Sequence, residues 1–341
     1  ALLKYRGIDQ WWMLLLFLPL LVVCSWVQKL KVEDPLRDPT KVSDRSVVTG
    51  IVTFSLIFLG LAYLAKENGG FPDRFDGNLR TAVSTSHGSP FRSKCHTDGA
   101  DYLSPADSCV YFEGTPTWAV LGDSHGIPVA YALAEKLRSK GVSLTHLTFS
   151  GCGFQKPAES HCRKWLADSV EFLKSHKTVT HVVLSFRLLA QLYGKHSEIF
   201  PEIPSNKSQS EINDIVANYA RLVSSLEQSG KVVIWLMQPP EVGSPMNRLI
   251  QTISASSTSA VSVRRDWWAA RSGDVRSYVA EATSESTLVF WPEEKLCSTE
   301  IGNCMAIRDS VSLYSDQDHL SVAGARIVLD NLVEKFPNVL D

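Results

Sequence analysis

From Thr117 onward, short β-rich runs alternate with amphipathic helical stretches along this 341-residue chain. Strands that are separated by helices pair in parallel and carry helices on both faces of the sheet. The alternation therefore predicts an α/β fold with a doubly wound parallel sheet. The predicted strands are Thr117–Leu121, Ser143–Phe149, Val179–Ser185, Lys231–Met237 and Thr287–Phe290. The predicted helices are Ile127–Lys140, Arg163–His176, Ser210–Gln228, Arg264–Ala282 and Val322–Lys335.

Residues 1–65 differ in kind from the rest of the chain. No charged residue lies between Asp9 and Lys29, and none lies between Arg45 and Lys66. Each run is long enough to cross the roughly 30 Å hydrocarbon layer of a bilayer as a helix. A buried hairpin of a soluble protein is the alternative, but two such runs in tandem favour two transmembrane helices.

The loop between the two apolar runs is basic, which places it in the cytoplasm by the positive-inside tendency. Residues 66–341 would then lie on the other side of the membrane. The first run has no basic segment and cleavage site of the signal-peptide type before it, so we do not interpret it as a signal peptide. The chain begins with Ala1, and we expect it to be part of a longer membrane protein. The basic loop residues are Lys29, Lys31, Arg37, Lys41 and Arg45.

Six of the seven cysteines lie in three close pairs outside the apolar runs, while Cys24 lies within the first run. An even set in near pairs is typical of local disulfides in an oxidising compartment. Six reduced core thiols are the alternative. The sequence predicts the disulfides Cys95–Cys109, Cys152–Cys162 and Cys297–Cys304.

Residues 66–116 are rich in Gly, Pro, Ser and Asp, and we interpret them as an extended, disulfide-stapled linker that packs on the following domain. Cys152, His161 and Cys162 cluster within the next domain. No second group of ligands with zinc spacing follows them, so we predict no metal site. The expected organisation is a membrane part over 1–65, the linker over 66–116 and an α/β domain over 117–341.

Gly122-Asp123-Ser124-His125 follows the first predicted strand, and Asp316 and His319 lie three residues apart near the end of the chain. A serine hydroxyl needs an imidazole to accept its proton and a carboxylate to orient that imidazole. Reactive groups of doubly wound sheets gather beyond the carboxyl ends of the strands, where Ser124 lies. Either motif alone has an ordinary alternative, since Asp and Ser cap helices and Asp-x-x-His occurs in loops. Together they predict a catalytic triad.

A triad of this kind also needs backbone donors for the oxyanion. The helix that begins after Ser124 presents free N–H groups, and Gly151 follows the second predicted strand. We therefore predict an oxyanion hole made by the N–H groups of Ser124 and Gly151. The alternative for Gly151 is a turn that accommodates the disulfide of Cys152.

These motifs resemble those of the SGNH hydrolase family, in which a Gly-Asp-Ser block carries the nucleophile and an Asp-x-x-His block completes the triad. The resemblance implies that Ser124 is the nucleophile, His319 the general base and Asp316 the orienting acid. Many family members have an oxyanion-binding Asn after the third strand, where this chain has Arg187. Arg187 either replaces that Asn as a cationic contact to the oxyanion or substrate, or it packs structurally.

The wider arrangement resembles the C-terminal end of an acyltransferase-3 protein with a fused periplasmic SGNH domain, as in bacterial O-antigen acetyltransferases. It rests on the two apolar runs, the segment Gly70–Arg74 and the Gly-Asp-Ser-His block. The resemblance implies an SGNH-hydrolase-like, flavodoxin-like sheet over 117–341. It also implies a protein of the bacterial inner membrane, with residues 66–341 in the periplasm and an acyltransferase-3 membrane domain upstream.

The implied activity is O-acyl transfer, with acetyl expected, to a cell-envelope polysaccharide such as lipopolysaccharide O-antigen. Acetyl-coenzyme A is the expected donor to the upstream membrane domain, and we expect no cofactor to bind this fragment. The net charge is only −2 and no Lys/Arg stripe is present, which argues against nucleic acid as a partner. A carbohydrate esterase with the same triad and a non-catalytic glycan-binding module are the alternatives.

Overall fold

The computed structural model describes residues 12–194, 207–253 and 258–340, apart from residues 39, 41, 72, 74, 76 and 301. The chain divides into two compact units, Ala1–Phe75 and Asp76–Asp341. In the first unit, the helices are α1 Trp12–Gln28, α2 Asp34–Arg37 and α3 Asp44–Glu67, with a π-helical turn at Lys29–Glu33 between α1 and α2. The second unit contains the α/β domain.

Helix α3 fits a membrane anchor. Its 24 residues extend about 36 Å at 1.5 Å per residue, and none of them is buried. Among the described residues, α3 is the one helix that is long and apolar enough to cross a membrane. Helix α1 has 17 described residues, with Pro19 inside it, and the first predicted span begins in residues outside the described part. One predicted span is thus supported, and the other stays a prediction.

The second unit is built on a six-stranded sheet of order β1-β3-β2-β4-β5-β7, in which β1 is antiparallel to β3 and the other neighbours are parallel. The predicted α/β fold is confirmed, with a mixed sheet in place of an entirely parallel one. The strands are β1 Cys109–Tyr111, β2 Pro116–Gly122, β3 Ser143–Thr148, β4 His181–Ser185, β5 Val232–Leu236, β6 Ala260–Arg264, β7 Leu288–Phe290, β8 Asn303–Arg308 and β9 Val311–Ser312. The helices are α4 Gly77–Thr85, α5 Arg92–Cys95, α6 Gly126–Arg138, α7 His161–Ser175, α8 Leu188–Tyr193, α9 Gln209–Gln228, α10 Met246–Ile250, α11 Arg265–Ala282, α12 Glu293–Leu296 and α13 Val322–Lys335.

Helices cover both faces of this sheet, so the central strands are apolar on both sides. In β2, Val120 faces a core with α6 and α13, whereas Leu121 faces a core with α7, α9 and α11. Both side chains are fully buried. Burying an aliphatic side chain of this size stabilises the fold by about 1.5–3 kcal/mol. The two cores hold the carboxyl ends of the strands at one edge, where the predicted site residues lie.

Two parts of the second unit differ from the sequence-based expectation. The segment predicted as an extended linker contains α4, α5 and the edge strand β1, and the Ser312 hydroxyl donates to the Ala82 carbonyl of α4 at 2.7 Å. The Gly- and Ser-rich composition hid these elements because each is short. A separate antiparallel sheet of order β6-β8-β9 also forms, and its strands were not predicted.

All three predicted disulfides are present. Cys95–Cys109 joins α5 to β1, Cys152–Cys162 joins the loop after β3 to α7, and Cys297–Cys304 joins the end of α12 to β8. Cys24 is exposed on α1 and unpaired among the described cysteines. The bonded cysteines are 14, 10 and 7 positions apart in the sequence, so each disulfide closes a short loop, as predicted.

Candidate active site

Ser124 lies in the tight turn between β2 and α6, and this turn depends on two glycines. A Cβ atom at Gly122 would lie 2.0 Å from the Ser185 carbonyl oxygen on β4, and one at Gly126 would lie 2.9 Å from the Thr148 methyl group. Any side chain at Gly122 would push β2 and β4 apart. The glycines therefore let the turn approach the ends of β3 and β4 closely.

Asp123 fixes the same turn from its other side. One carboxylate oxygen accepts the His125 N–H at 2.9 Å, and the other accepts the Arg187 N–H at 2.8 Å. Burial raises the pKa of Asp123 to about 6. Asp123 thus links the ends of β2 and β4. The Ser124 hydroxyl does not cap α6 and lies against His319.

The Asp316–His319 loop is ordered by hydrogen bonds from its backbone N–H groups to the Asp316 side chain. An oxygen of Asp316 accepts the N–H groups of Asp318 and His319 at 3.0 and 2.8 Å. The Gln317 carbonyl accepts the Val242 N–H at 2.7 Å, which ties the loop to the segment after β5. The loop therefore has a defined conformation before α13 begins.

The structure brings the three predicted triad residues together. His319 Nε2 lies 2.7 Å from the Ser124 hydroxyl oxygen, which is the distance of a hydrogen bond. His319 Nδ1 lies 3.0 and 2.9 Å from the two Asp316 oxygens. With the Ser124 hydroxyl donating to Nε2 and Nδ1–H donating to Asp316, the tautomer required for proton transfer is satisfied. The catalytic roles themselves stay predictions.

The carboxylates around His319 determine its proton affinity. Burial disfavours the charged imidazole, but hydrogen bonds to and charges of Asp316 and Asp318 outweigh burial and raise the pKa of His319 to about 9. Burial acts against ionised Asp316 too, yet its hydrogen bond to His319 and the charge of His319 lower its pKa. The His319 imidazole is therefore a strong base, because its protonated form is stabilised by the two carboxylates.

Gly151 lies just beyond β3, as predicted, in an exposed turn with φ of 55°. The N–H groups on either side of Gly151 have backbone partners. Ser150 donates to the Thr97 carbonyl, and Cys152 donates to the Phe149 carbonyl. The N–H groups of Ser124 and Gly151 make no hydrogen bond to a described residue. The turn also accommodates the Cys152 disulfide, so its geometry is compatible with both sequence-based interpretations.

Arg187 is engaged by carboxylates. Its Nε and Nη2 donate to Glu241 Oε1 at 3.0 and 2.8 Å, and Nη1 pairs with Asp318 Oδ2 at 2.5 Å. All three guanidinium nitrogens thus have carboxylate partners. This geometry favours the structural interpretation of Arg187 over a role as the oxyanion donor.

Sequence reasoning assigned no role to two further neighbours of His319. Asp318 Oδ1 lies 2.9 Å from His319 Nδ1, although Asp318 directly precedes His319 and does not have the Asp-x-x-His spacing. The His125 ring lies 4.5 Å from the His319 ring, is buried, and has no hydrogen-bond partner for either nitrogen among the described residues. Its position directly after Ser124 was the available signal.

His125, Asp318 and His319 place candidate metal-ligand atoms within 4.8 Å of one another. Two imidazoles and a carboxylate suit a divalent transition metal. In the described structure, however, both ring nitrogens of His319 hydrogen-bond to Ser124 and the aspartates. A metal bound through His319 would therefore replace one of those hydrogen bonds.

A mainly parallel sheet between helices, with these residues beyond the carboxyl ends of its strands, has the architecture of an SGNH hydrolase. A protein-family model described as an SGNH domain fused to AT3 domains matches residues 94–334. The chain belongs to this family of SGNH domains. No curated protein sequence matches the chain.

Several solved structures are similar to the chain. The periplasmic domain of a lipopolysaccharide acetyltransferase from Salmonella ser. Paratyphi A is 11% identical, with a TM-score of 0.47, 67% of this chain covered and 86% of the other. An aryl esterase from M. smegmatis is 16% identical, with a TM-score of 0.39 and coverage of 66% and 100%. A carbohydrate acetylesterase from Sinorhizobium meliloti is 13% identical, with a TM-score of 0.39 and coverage of 65% and 99%.

Proposed function

We propose that this domain transfers an acyl group, expected to be acetyl, to a hydroxyl of a cell-envelope glycan such as lipopolysaccharide O-antigen. The observation that carries the proposal is the 2.7 Å contact between His319 Nε2 and the Ser124 hydroxyl, with Asp316 on the other ring nitrogen. Membership among SGNH domains fused to AT3 domains supports acyl transfer over other serine chemistry. The acceptor glycan is the proposed substrate partner.

The geometry supports acyl transfer in two halves. The Ser124 oxygen attacks the acyl carbonyl as its proton passes to His319 Nε2, and the imidazolium formed is stabilised by Asp316. His319 then protonates the leaving group, and Ser124 holds the acyl group as an ester. In the second half, His319 removes the proton of the sugar hydroxyl, whose oxygen attacks the ester carbonyl carbon. The bond between the acyl carbon and the Ser124 oxygen then breaks, and His319 returns the proton to Ser124. The N–H groups of Ser124 and Gly151 would stabilise the oxyanion in both halves.

The source of the acyl group is a further part of the proposal. Acetyl-coenzyme A is cytoplasmic, so an acyltransferase-3 membrane domain would pass its acetyl group across the bilayer to Ser124. Helix α3 suits an anchor in the bacterial inner membrane, and the three disulfides suit a periplasmic location for residues 66–341. No cofactor is needed at the Ser124 site in this scheme.

The test is covalent labelling together with product analysis. A fluorophosphonate probe should label Ser124, and Ser124→Ala should abolish labelling and reduce ester turnover by about 10³-fold or more. Ser139→Ala, at the exposed end of α6, is the matched control and should keep both. Undiminished turnover in Ser124→Ala would exclude the triad.

Product analysis separates transfer from hydrolysis. The protein is incubated with an activated acetyl ester and an O-antigen acceptor, and O-acetylated glycan and free acetate are both quantified. Transfer predicts acetylated glycan that depends on Ser124. Loss of acetyl groups from a pre-acetylated glycan, without transfer, would instead identify a carbohydrate esterase.

A further inference from the structure

Two carboxylates, rather than one, lie against the Nδ1 atom of His319. Asp316 Oδ2 and Asp318 Oδ1 are each 2.9 Å from it. Their surroundings differ, because the Asp316 side chain is 53% exposed and the Asp318 side chain is 13% exposed. Solvent and salt screen an exposed charge far more than a buried one. Asp318 is therefore the carboxylate whose charge acts on His319 with less screening.

Asp318 is held by a row of alternating charges. Its second oxygen pairs with Arg187 Nη1 at 2.5 Å, and Arg187 binds Glu241 Oε1 through two nitrogens at 3.0 and 2.8 Å. The other oxygen of Glu241 accepts from Arg271 Nε and Nη2 at 2.9 and 2.5 Å. The row Arg271–Glu241–Arg187–Asp318 thus ends on the imidazole of His319.

This row lies deep in the domain. The side chains of Arg271 and Glu241 are 1% and 2% exposed, and that of Arg187 is 18% exposed. Buried ion pairs are weak contributors to stability, because desolvation offsets most of their attraction and apolar side chains of similar size serve as well. Their ability to fix one geometry is a better reason for this arrangement. The geometry fixed here is that of Asp318.

The row also joins the elements that form the site. Arg187 follows β4, and its backbone N–H donates to Asp123 in the Ser124 turn. Glu241 follows β5, and the next residue, Val242, donates its N–H to the carbonyl of Gln317 in the His319 loop. The nucleophile turn and the loop of the base are thus held by the same set of contacts.

We propose that Asp318 is a second orienting carboxylate for His319, and that Arg187, Glu241 and Arg271 are positioning residues that hold it. The inference rests on the proposed roles of Ser124 and His319. When the Ser124 oxygen bonds to the acyl carbon, its proton moves to His319 Nε2 and the Nδ1–H remains shared between Asp316 and Asp318. Both carboxylates stay ionised throughout, and the proton leaves with the departing group.

The proposal predicts opposite shifts in the pKa of His319. The charged or titratable groups around His319 are Asp316 and Asp318 on its loop, His125 and Asp123 in the nucleophile turn, Arg187 after β4 and His96 after α5. Asp318→Asn removes an anion and lowers the pKa of His319 by about 1 pH unit. Arg187→Gln removes a cation and raises it. Since neutral His319 is the active base, the acid limb of kcat/KM moves the same way in each variant.

The experiment compares Asp316→Asn, Asp318→Asn and the double variant in the full chain, held in lipid nanodiscs. Turnover of 4-nitrophenyl acetate and the rate of Ser124 labelling by a fluorophosphonate are measured against pH. We expect each single variant to keep at least about tenfold more activity than the double variant, with the loss in kcat and not in KM. Asp330→Asn, in an exposed pair with Lys136, is the control and should match wild type.

Two further measurements keep the result decisive. Asp318→Asn combined with Arg187→Gln keeps an amide hydrogen bond in place of the ion pair, in case the single variant does not fold. The ¹⁵N chemical shift of the His319 imidazole, followed against pH in Ser124→Ala, reports the carboxylate pair without any turnover. The combined variant is compared with Arg187→Gln alone, so that the two differ only in the charge of residue 318. An unchanged His319 titration in Asp318→Asn relative to wild type, and in the combined variant relative to Arg187→Gln, would overturn the proposal. Turnover that survives Ser124→Ala would instead remove the proposed function.

Discussion

At the scale of single residues, opposing effects on one imidazole govern the chemistry of the site. Burial acts against the charged form of His319, whereas Asp316 and Asp318 favour that form more strongly. A stabilised imidazolium would assist the proposed step in which Ser124 loses its proton. It also means that the resting base is protonated over much of the neutral range.

The activity should therefore depend on pH with a clear sign. At a pH below its pKa of about 9, His319 carries a proton on Nε2 and cannot accept one from Ser124. We expect kcat/KM for 4-nitrophenyl acetate to rise about tenfold per pH unit toward pH 9 and to level above it. The rate of Ser124→Ala at each pH is subtracted as background. A profile that is already level at pH 7 would contradict the charge balance described for His319.

The sequence predicted the triad but not its surroundings. Ser124, Asp316 and His319 belong to two short motifs, and each motif can be read from adjacent residues. The pair between Arg187 and Glu241 joins residues that are 54 positions apart, so no local pattern announces it. Asp318 was assigned no role because it directly precedes His319 and does not have the Asp-x-x-His spacing. Loop geometry brings both carboxylates to one nitrogen.

At the scale of secondary-structure elements, the approach of β2 to β4 determines where Ser124 lies. Gly122 is the last residue of β2, and it pairs with Ser185 at the end of β4. The space above Gly122 is filled by backbone atoms, which cannot rotate away as a side chain can. The position therefore admits glycine alone.

Gly122→Ala should destabilise the domain and impair the site together. Its Cβ would lie 2.0 Å from the Ser185 carbonyl oxygen, and we expect a loss of about 3 kcal/mol in the free energy of unfolding. Gly273→Ala is the matched control, because a Cβ there meets nothing within 4 Å inside α11. It should stabilise the helix by about 0.5–1 kcal/mol. Urea unfolding followed by tryptophan fluorescence measures both, and equal effects would refute the packing argument.

The Cys152–Cys162 bond should stabilise the loop that carries Gly151. It closes a loop with a sequence separation of 10, which corresponds to about 3 kcal/mol of lost chain entropy in the unfolded state. Replacing both cysteines with serine should lower the midpoint of urea unfolding accordingly. Cys24→Ser is the control and should change nothing, since Cys24 is unpaired among the described cysteines. An unchanged midpoint in the double variant would contradict a stabilising role.

Most elements of the main sheet could be predicted because their periodicity is strong. Val322–Lys335 matches helix α13 at both ends, and the five predicted strands agree with the structure to within two residues. Strands β1 and β9 have three and two residues, which is too short for an alternating pattern to be recognised. Their pairing depends on distant partners, and such partners cannot be inferred from the neighbouring sequence.

At the scale of the whole molecule, the apolar helices and the candidate active site belong to different units of the chain. All residues of the candidate site lie within the unit Asp76–Asp341, and the anchor-like helix α3 lies within Ala1–Phe75. The chemistry proposed at Ser124 therefore uses residues of the second unit. Delivery of the acyl group is the step for which a membrane domain is proposed.

Residues 76–341 alone should hydrolyse 4-nitrophenyl acetate slowly but should not acetylate glycan from acetyl-coenzyme A. The small ester reaches Ser124 directly, whereas the proposed route from coenzyme A passes through an acyltransferase-3 membrane domain. The assay uses ¹⁴C-acetyl-coenzyme A and O-antigen, with and without membranes that contain such a domain fused to this chain. Efficient transfer by residues 76–341 without membranes would refute the division of labour.

The edge strand β1 has a consequence for colloidal behaviour. Its three residues pair with β3 through Cys109, Val110 and Tyr111, and the Cys95 disulfide holds the strand in place. A chain that begins at residue 117 would leave the backbone of β3 bare, and a bare edge can recruit the same edge of another molecule. A short, covalently fastened edge strand offers little template for such growth. On the membrane surface proposed for this protein, where tethered neighbours would meet repeatedly, this strand would limit edge-to-edge association of the domains.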